Sequence, residues 1–250
     1  MQPIVSVVIP TYQRPEKLAR ALESIAAATA CASEAIVIDD CPDGSGFEAA
    51  RHHRAKYVYK AGVDRGQSFS RNLGLSMARG EWVCFLDDDD FLVPAGIAQL
   101  IAAAPAHATV AVGDYFTFDA GTRTDISLQS LTFDGLLVRN WVPVGAYVMR
   151  RHAVTRDFDT RMRSHEDWDF LLSNLQGQTP PHVPVAVVGI DKTENMTTST
   201  EARRRSLFWL DFLAVYARFP ASHLSAHRAA MLSSLGLNMP GGLLDFNDQI

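Results

Sequence analysis

Gly80-Glu81-Trp82-Val83-Cys84-Phe85-Leu86-Asp87-Asp88-Asp89-Asp90 runs an apolar segment straight into four adjacent carboxylates. The apolar part, residues 82–86, has the length and content of a buried strand. Four neighbouring carboxylates repel one another unless a cation binds them. Carboxylate oxygens are hard ligands that suit Mg²⁺ or Mn²⁺, and Mg²⁺ takes one or two protein carboxylates while water and substrate phosphates fill its other positions. The stretch therefore points to a divalent metal and a phosphate-bearing substrate. An acidic strand end also serves as a turn and helix cap, with Pro94 suited to a first helical turn, yet a cap uses one carboxylate and four are present.

The same plan recurs upstream. Residues 4–9 read as a strand that leads into Thr11-Tyr12-Gln13-Arg14, and residues 35–38 read as a strand ending at Asp39-Asp40. Amphipathic helices are expected over 15–28, where Leu18, Ala21, Leu22 and Ile25 share a face, over 47–54 after the Pro42-Asp43-Gly44 turn, over 68–78 and over 95–104. Residues 57–59 form a further strand. Strands alternating with helices predict an α/β fold with a mostly parallel central sheet, in which ligands bind beyond the carboxyl ends of the strands. The three polar strand ends are thus expected to converge in one cleft.

Beyond Thr109 the pattern is mixed. Strands are expected over 110–118, 144–149 and 185–190, a hairpin turn at Ala120-Gly121, and a strongly amphipathic helix over 166–175. No linker or repeat divides the chain, so residues 1–200 read as one domain, with a nucleotide-facing half (1–105) and an acceptor-facing half (106–200). Residues 201–250 read as a helical extension packed on it.

The 250 residues suffice for a sizeable core, and 47% hydrophobic with 20% charged residues is ordinary globular composition. A net charge of −5 and a pI near 5.9 argue against a nucleic-acid partner. Residues 1–6 have no basic leader ahead of the first apolar stretch, and no apolar run is long enough to span a bilayer. Cys31, Cys41 and Cys84 lack metal-site spacing and suggest reduced thiols, so the expected location is cytoplasmic.

Val5-Ser6-Val7-Val8-Ile9-Pro10-Thr11-Tyr12 resembles the opening of family 2 glycosyltransferases of the GT-A fold. Ile38-Asp39-Asp40-Cys41-Pro42-Asp43-Gly44-Ser45 resembles that family's second motif. Arg71-Asn72-Leu73-Gly74, Gly80-Glu81-Trp82 and the acidic run resemble its third, and His165-Glu166-Asp167-Trp168-Asp169-Phe170 its fourth. Four motifs in this order are specific where each alone is weak. The resemblance implies a single GT-A (Rossmann-like) domain that transfers a sugar, with inversion, from a nucleotide-diphosphate donor to a hydroxyl of a glycan or lipid-linked acceptor in surface polysaccharide or glycoconjugate synthesis. It implies that Pro10, Thr11, Tyr12 and Arg14 line the nucleotide pocket, that Asp40 accepts a hydrogen bond from the base, and that Asp87 and Asp89 are the DxD pair for Mn²⁺ or Mg²⁺. Asp89 is then the direct metal ligand and Asp88 lies near the ribose.

Asp167 takes the position of the family's catalytic base, with Glu166 its rival. A helix N-terminus also favours acidic residues, and the dipole there should lower the pKa of Asp167 and weaken it as a base. Arg71 either faces the donor phosphates or is a solvated helix-end arginine; Arg65 and Gln67, flanking Gly66, sit in a loop that can reach the donor. One departure stands out. Many relatives carry an Arg and a His after the last strand, where this chain has Asp191-Lys192-Thr193-Glu194, so either Asp191, Lys192 or Glu194 stands in for the His or the loop is a solvated turn, as a charge-rich connection is by default.

In the tail, Arg203-Arg204-Arg205 precedes Leu207-Phe208-Trp209-Leu210, Phe212, Leu213 and Tyr216. A basic and apolar helix of this kind suits peripheral contact with the inner face of a membrane, but its apolar residues lie on several sides, which favours burial against the domain or in a homodimer. Two other classes compete with an enzyme that transfers sugar. A non-catalytic nucleotide-sugar-binding scaffold keeps the fold without the chemistry. A nucleotidyltransferase needs a glycine-rich loop after the first strand, and Pro10-Thr11-Tyr12-Gln13-Arg14 contains no glycine.

Overall fold

The computed structural model describes residues 4–29, 33–60, 66–192 and 206–239. One nine-stranded sheet organises them: β1 (Val5–Thr11), β2 (Ser33–Asp39), β3 (Lys56–Tyr59), β4 (Trp82–Phe85), β5 (Phe91–Leu92), β6 (Val110–Asp119), β7 (Thr122–Ile126), β8 (Tyr147–Arg150) and β9 (His182–Asp191). Their order across the sheet is β3-β2-β1-β4-β8-β6-β9-β5, with β7 paired to β6. The helices are α1 (Pro15–Thr29), α2 (Phe47–His52), α3 (Gln67–Met77), α4 (Gly96–Ala103), α5 (Phe133–Val138), α6 (Glu166–Leu175), α7 (Ser206–Arg218) and α8 (Ser225–Ser234).

Every residue of β1 is buried, as a strand covered on both faces requires, and this explains its mainly apolar sequence. Helix α1 buries Leu18, Ala21, Leu22 and Ile25 against the sheet. The pairings β1–β2, β2–β3 and β1–β4 are parallel. In the second half β6–β9 is parallel, with a bulge around Asp114, while β4–β8, β5–β9, β6–β7 and β6–β8 are antiparallel. The parallel pairings expected of most of the sheet are thus concentrated in the first half, and the second half is mixed.

Register places the site. Thr11 lies opposite Asp39, and Leu86 N–H donates to the Val8 carbonyl at 3.0 Å, so β1, β2 and β4 end along one edge. Helix α3 lies flush on β1: a Cβ at Gly74 would stand 2.3 Å from Val8 Cγ1, and one at Gly80 would stand 2.6 Å from the Ser6 backbone nitrogen.

Three elements depart from the sequence reading. Residues 144–146 form a single 3₁₀ turn, closed by Ala146 N–H to the Pro143 carbonyl at 2.9 Å, and the strand begins only at Tyr147. Strand β5 has two residues, too few for any periodicity. Helix α5 has six, and its signal is the cap: Thr132 Oγ1 accepts from Gly135 N–H at 3.0 Å. In α7, Phe212, Val215 and Tyr216 enter the core while Leu210 is 58% exposed, so most of the helix's apolar surface is used within this chain. Arg203, Arg204 and Arg205 lie outside the described residues. Among the described residues no helix is long and apolar enough to cross a membrane.

Candidate active site

The carboxylates after β4 are not equivalent. Asp88, 6% exposed, accepts from Thr11 Oγ1 (2.8 Å), Tyr12 N–H (3.4 Å) and Arg14 Nη1 (3.3 Å), which ties the end of β4 to the loop after β1. Burial pushes its pKa up to about 6 against the pull of Thr11 and Arg14. Both its oxygens take protein donors, so Asp88 holds the pocket wall together. Asp90 is buried and accepts from Asp191 N–H at 3.1 Å, fixing the end of β9; burial and the charges of Asp87 and Asp89 raise its pKa well above the carboxylate range.

Asp87 and Asp89 keep solvent access, their side chains being 36% and 20% exposed. Asp87 Oδ1 accepts from Arg71 Nη2 at 2.6 Å, and Asp89 Oδ2 from Arg14 Nη1 at 2.8 Å. Each of these two bonds engages one oxygen of its carboxylate. Burial, then the charge of Asp87, raises the pKa of Asp89 despite Arg14. No group of three or more His, Cys, Asp or Glu side chains converges as a metal cage among the described residues. Two partly exposed carboxylates within an acidic cluster fit a divalent ion held by one or two carboxylates, with its other positions left to phosphate and water.

The second polar strand end divides its labour. Asp39, fully buried, accepts from Cys41 N–H (2.8 Å), Gly46 N–H (2.9 Å) and Tyr57 Oη (2.9 Å), and so shapes the turn after β2. Asp40 Oδ2 accepts from Gly66 N–H at 3.0 Å; its Oδ1 makes no hydrogen bond and lies 3.5 Å from Lys60 Nζ, which also sits over the Phe69 ring. An oxygen left short of donors is what a base-recognising carboxylate offers. Pro10 is buried in β1 opposite Ile38 and presents no polar group, whereas Tyr12 is 47% exposed beside the cluster.

Arg71 is not a solvated helix-end arginine. It is 1% exposed, over the Phe158 ring, with Nη2 on Asp87 and Nη1 on Glu166 Oε1 at 2.8 Å. Gln67 Nε2 donates to the same Glu166 oxygen at 2.5 Å. Glu166, 3% exposed, is thereby locked, and the chain Asp87–Arg71–Glu166 links the β4 cluster to the start of α6.

Asp167, next to it, is half-buried and differs in every respect. Its Oδ2 accepts from Asn140 Nδ2 at 3.0 Å and its Oδ1 from Trp168 N–H at 2.7 Å. Burial, then the Glu166 charge, lifts its pKa to about 7, outweighing Arg71. The downward shift expected from the helix N-terminus is therefore reversed: desolvation beside a second carboxylate outweighs a half-charge dipole. His165 packs against Phe208 and Phe212, and burial lowers its pKa to about 4, so it is a packing residue. Asp191 pairs with Arg20 at 3.2 Å; Arg65 and Glu194 lie outside the described residues. Sequence reading missed Asn140, Lys60 and Arg20, of which only Lys60, at the end of β3, stood where the strand-end rule looks.

A mixed sheet whose parallel half carries acidic strand ends, with a helix-borne carboxylate beyond them, is the GT-A architecture. Residues 6–166 match the family model for Glycosyl transferase family 2, and the chain belongs to that family. An uncharacterized glycosyltransferase of Haemophilus influenzae is 26% identical over 186 residues, 69% of this chain and 62% of that protein. The GalNAc(5)-diNAcBac-PP-undecaprenol beta-1,3-glucosyltransferase of Campylobacter jejuni is 33% identical over 107 residues, 41% of this chain and 35% of that one. Among solved structures, S. aureus TarS 1–349 in complex with UDP-GlcNAc aligns with TM-score 0.69 at 19% identity, covering 93% of this chain and 72% of that one. Glucosyl-3-phosphoglycerate synthase from Mycobacterium tuberculosis, in complex with Mn²⁺, UDP and glucosyl-3-phosphoglycerate, aligns with TM-score 0.60 at 15% identity, covering 87% and 80%.

Proposed function

We propose that this glycosyltransferase moves a sugar from a UDP- or dTDP-sugar to an acceptor hydroxyl with inversion, using Asp167 as general base. The observation that carries this reading is the contrast within one dipeptide. Glu166 is locked by Arg71 and Gln67, while Asp167 keeps solvent access and is held near neutral pKa. A base works best when its pKa lies near the operating pH.

The acceptor oxygen forms its bond to the anomeric carbon as Asp167 takes the hydroxyl proton. The bond from that carbon to the diphosphate oxygen breaks on the opposite face, and the nucleoside diphosphate leaves with the electron pair. Asp87 and Asp89 would hold a Mn²⁺ or Mg²⁺ ion, which when bound supplies charge stabilisation for the diphosphate leaving group. Asp40 receives the imide N–H of uracil or thymine, and Tyr12 lines the approach to the base. Arg71 holds Asp87 and Glu166 at a fixed separation, which sets the distance between donor and base.

The UDP-bound neighbours support the uracil donor, and the undecaprenol-linked substrate named for the Campylobacter relative supports a lipid-linked glycan acceptor. Membrane contact through the tail helices and homodimer formation belong to the same proposal. Calorimetric titration of UDP, dTDP, GDP and CDP, with Mn²⁺ and with chelator, tests the donor site on wild type and Asp89→Ala. Metal-dependent binding of UDP or dTDP, lost in the variant, is expected; equal binding in chelator would sink the metal assignment. Asp167→Asn should keep donor binding and lose at least about 10²-fold in transfer, and retained transfer would remove Asp167 as the base.

A further inference from the structure

The carboxylate of Asp167 owes its place to residues that lie far along the chain. Asn140, which donates to it, is fixed in turn by Val142 N–H on its own Oδ1 at 3.2 Å, and it follows directly on the end of α5. That helix end is tied down from the tail. Tyr216 Oη donates to the Val138 carbonyl at 2.7 Å, and Arg228 Nε to the Leu137 carbonyl at 3.0 Å.

Arg228 is fully buried, and its hydrogen bonds go only to backbone carbonyls: Leu137 at the end of α5, and Tyr216 (3.3 Å) and Phe219 (2.7 Å) at the end of α7. Carbonyls at helix C-termini lack partners within the helix and carry the negative end of the dipole, so one buried guanidinium satisfies both helix ends at once. A buried cation placed in this way fastens α8 and α7 to α5.

A second tie acts on the other side of Asp167. Asp211 Oδ2, on α7, accepts from Arg163 N–H (2.8 Å), Ser164 N–H (2.9 Å) and Ser164 Oγ (3.3 Å), the segment that enters α6. The next residue, His165, has φ 59°, a left-handed conformation that a non-glycine residue keeps only when its surroundings impose it. Phe208 and Phe212 of α7 pack on its ring, with centroids 4.6 and 4.8 Å away.

We propose that α7 and α8, which lie beyond the part of the chain matched to the family, form a positioning brace for Asp167. Asp211 sets the entry of α6, and Tyr216 with Arg228 sets the end of α5 from which Asn140 reaches the carboxylate. The brace rests on the reading of Asp167 as base. Asp211 and Tyr216 are positioning residues, and neither lies in the donor cleft.

Steady-state kinetics on Asp211→Ala, Asp211→Asn and Tyr216→Phe test the brace, with UDP binding measured on the same preparations. Asp211→Ala and Tyr216→Phe should lower kcat about 10- to 100-fold, the cost of a misplaced reacting group, with donor KM and UDP affinity within about twofold of wild type. Asp211→Asn keeps an acceptor oxygen and should recover kcat to within about threefold. Wild-type kcat in both truncating variants overturns the brace, as does a parallel loss of UDP affinity, which marks general unfolding. If Asp211→Ala does not fold, Tyr216→Phe, which removes one hydroxyl, carries the test alone. Failure of the base reading is separately visible: Asp167→Asn then transfers normally whatever the tail variants do.

Discussion

At the scale of single residues, Glu166 and Asp167 show how neighbours in sequence acquire opposite chemistry. Glu166 is paired with Arg71 and bonded by Gln67; Asp167 is desolvated beside Glu166, and its pKa stands at about 7 against an ordinary 3.8. As base it must be ionised, so kcat should rise with pH and level off above about 7, and a kcat independent of pH between 5 and 8 would contradict its role. Stability carries the opposite sign. Because the folded state holds this proton more tightly than the unfolded chain, the contribution is complete below about pH 4 and is lost as pH rises through about 7. Displacement from 3.8 to about 7 caps the effect near about 4 kcal/mol, and partial solvent access reduces it to about 1–3 kcal/mol. Asp167→Asn should therefore be more stable than wild type by that amount at pH 8 and nearly equal to it at pH 4, as urea denaturation at the two pH values would read. No difference at pH 8 would mean that the carboxylate is solvated after all.

At the scale of elements, the motif glycines are explained by close approach. Gly80 meets backbone on three sides, with Ser6 N, Trp82 O and Val5 C all within 2.8 Å of a would-be Cβ, and backbone cannot swing aside as a flexible side chain can. Gly80→Ala should cost about 1–3 kcal/mol and pull β4 out of line with β1, which thermal unfolding measures directly; an unchanged midpoint would show that the β1–β4 seam has slack. Apart from the two-residue β5, the helices and strands of residues 4–104 were legible in the sequence because each is a buried strand or an amphipathic helix repeated at regular spacing. The positions of Thr11, Asp40 and Asp87–Asp90 at strand ends were legible for the same reason. Arg71 was not, since a guanidinium at helical spacing gives no sign of which carboxylates will surround it. Asn140 was illegible in another way: it lies outside any helix or strand and gains its role only when α5 and α6 pack. In the second half the mixed pattern was legible, but strand directions were not, because alternation of strand and helix cannot report the direction of a strand such as β8 that returns after a 3₁₀ turn.

At the scale of the whole molecule, the cluster after β4 places the protein in electrostatic debt without its ligand. Arg71 bonds Asp87, Arg14 bonds Asp88 and Asp89, and Lys17 also attracts Asp89, yet burial and the neighbouring carboxylates raise the pKa values of Asp88, Asp89 and Asp90, which means that their ionised forms are held at a cost. A cation that enters relieves this in the folded state alone, so binding must appear as stability. With UDP and Mn²⁺ each at about 100 times its dissociation constant, the complex should gain at least about 2.7 kcal/mol, which for a chain of this size raises Tm by about 5–10 °C. Asp89→Ala should lose the metal-dependent part of that rise while its own Tm without ligand stays level or increases, because one member of a repelling cluster is gone. The two halves of this expectation are linked: a variant that loses the ligand-induced rise and also melts early without ligand would assign Asp89 to the fold, with no part in binding the cation.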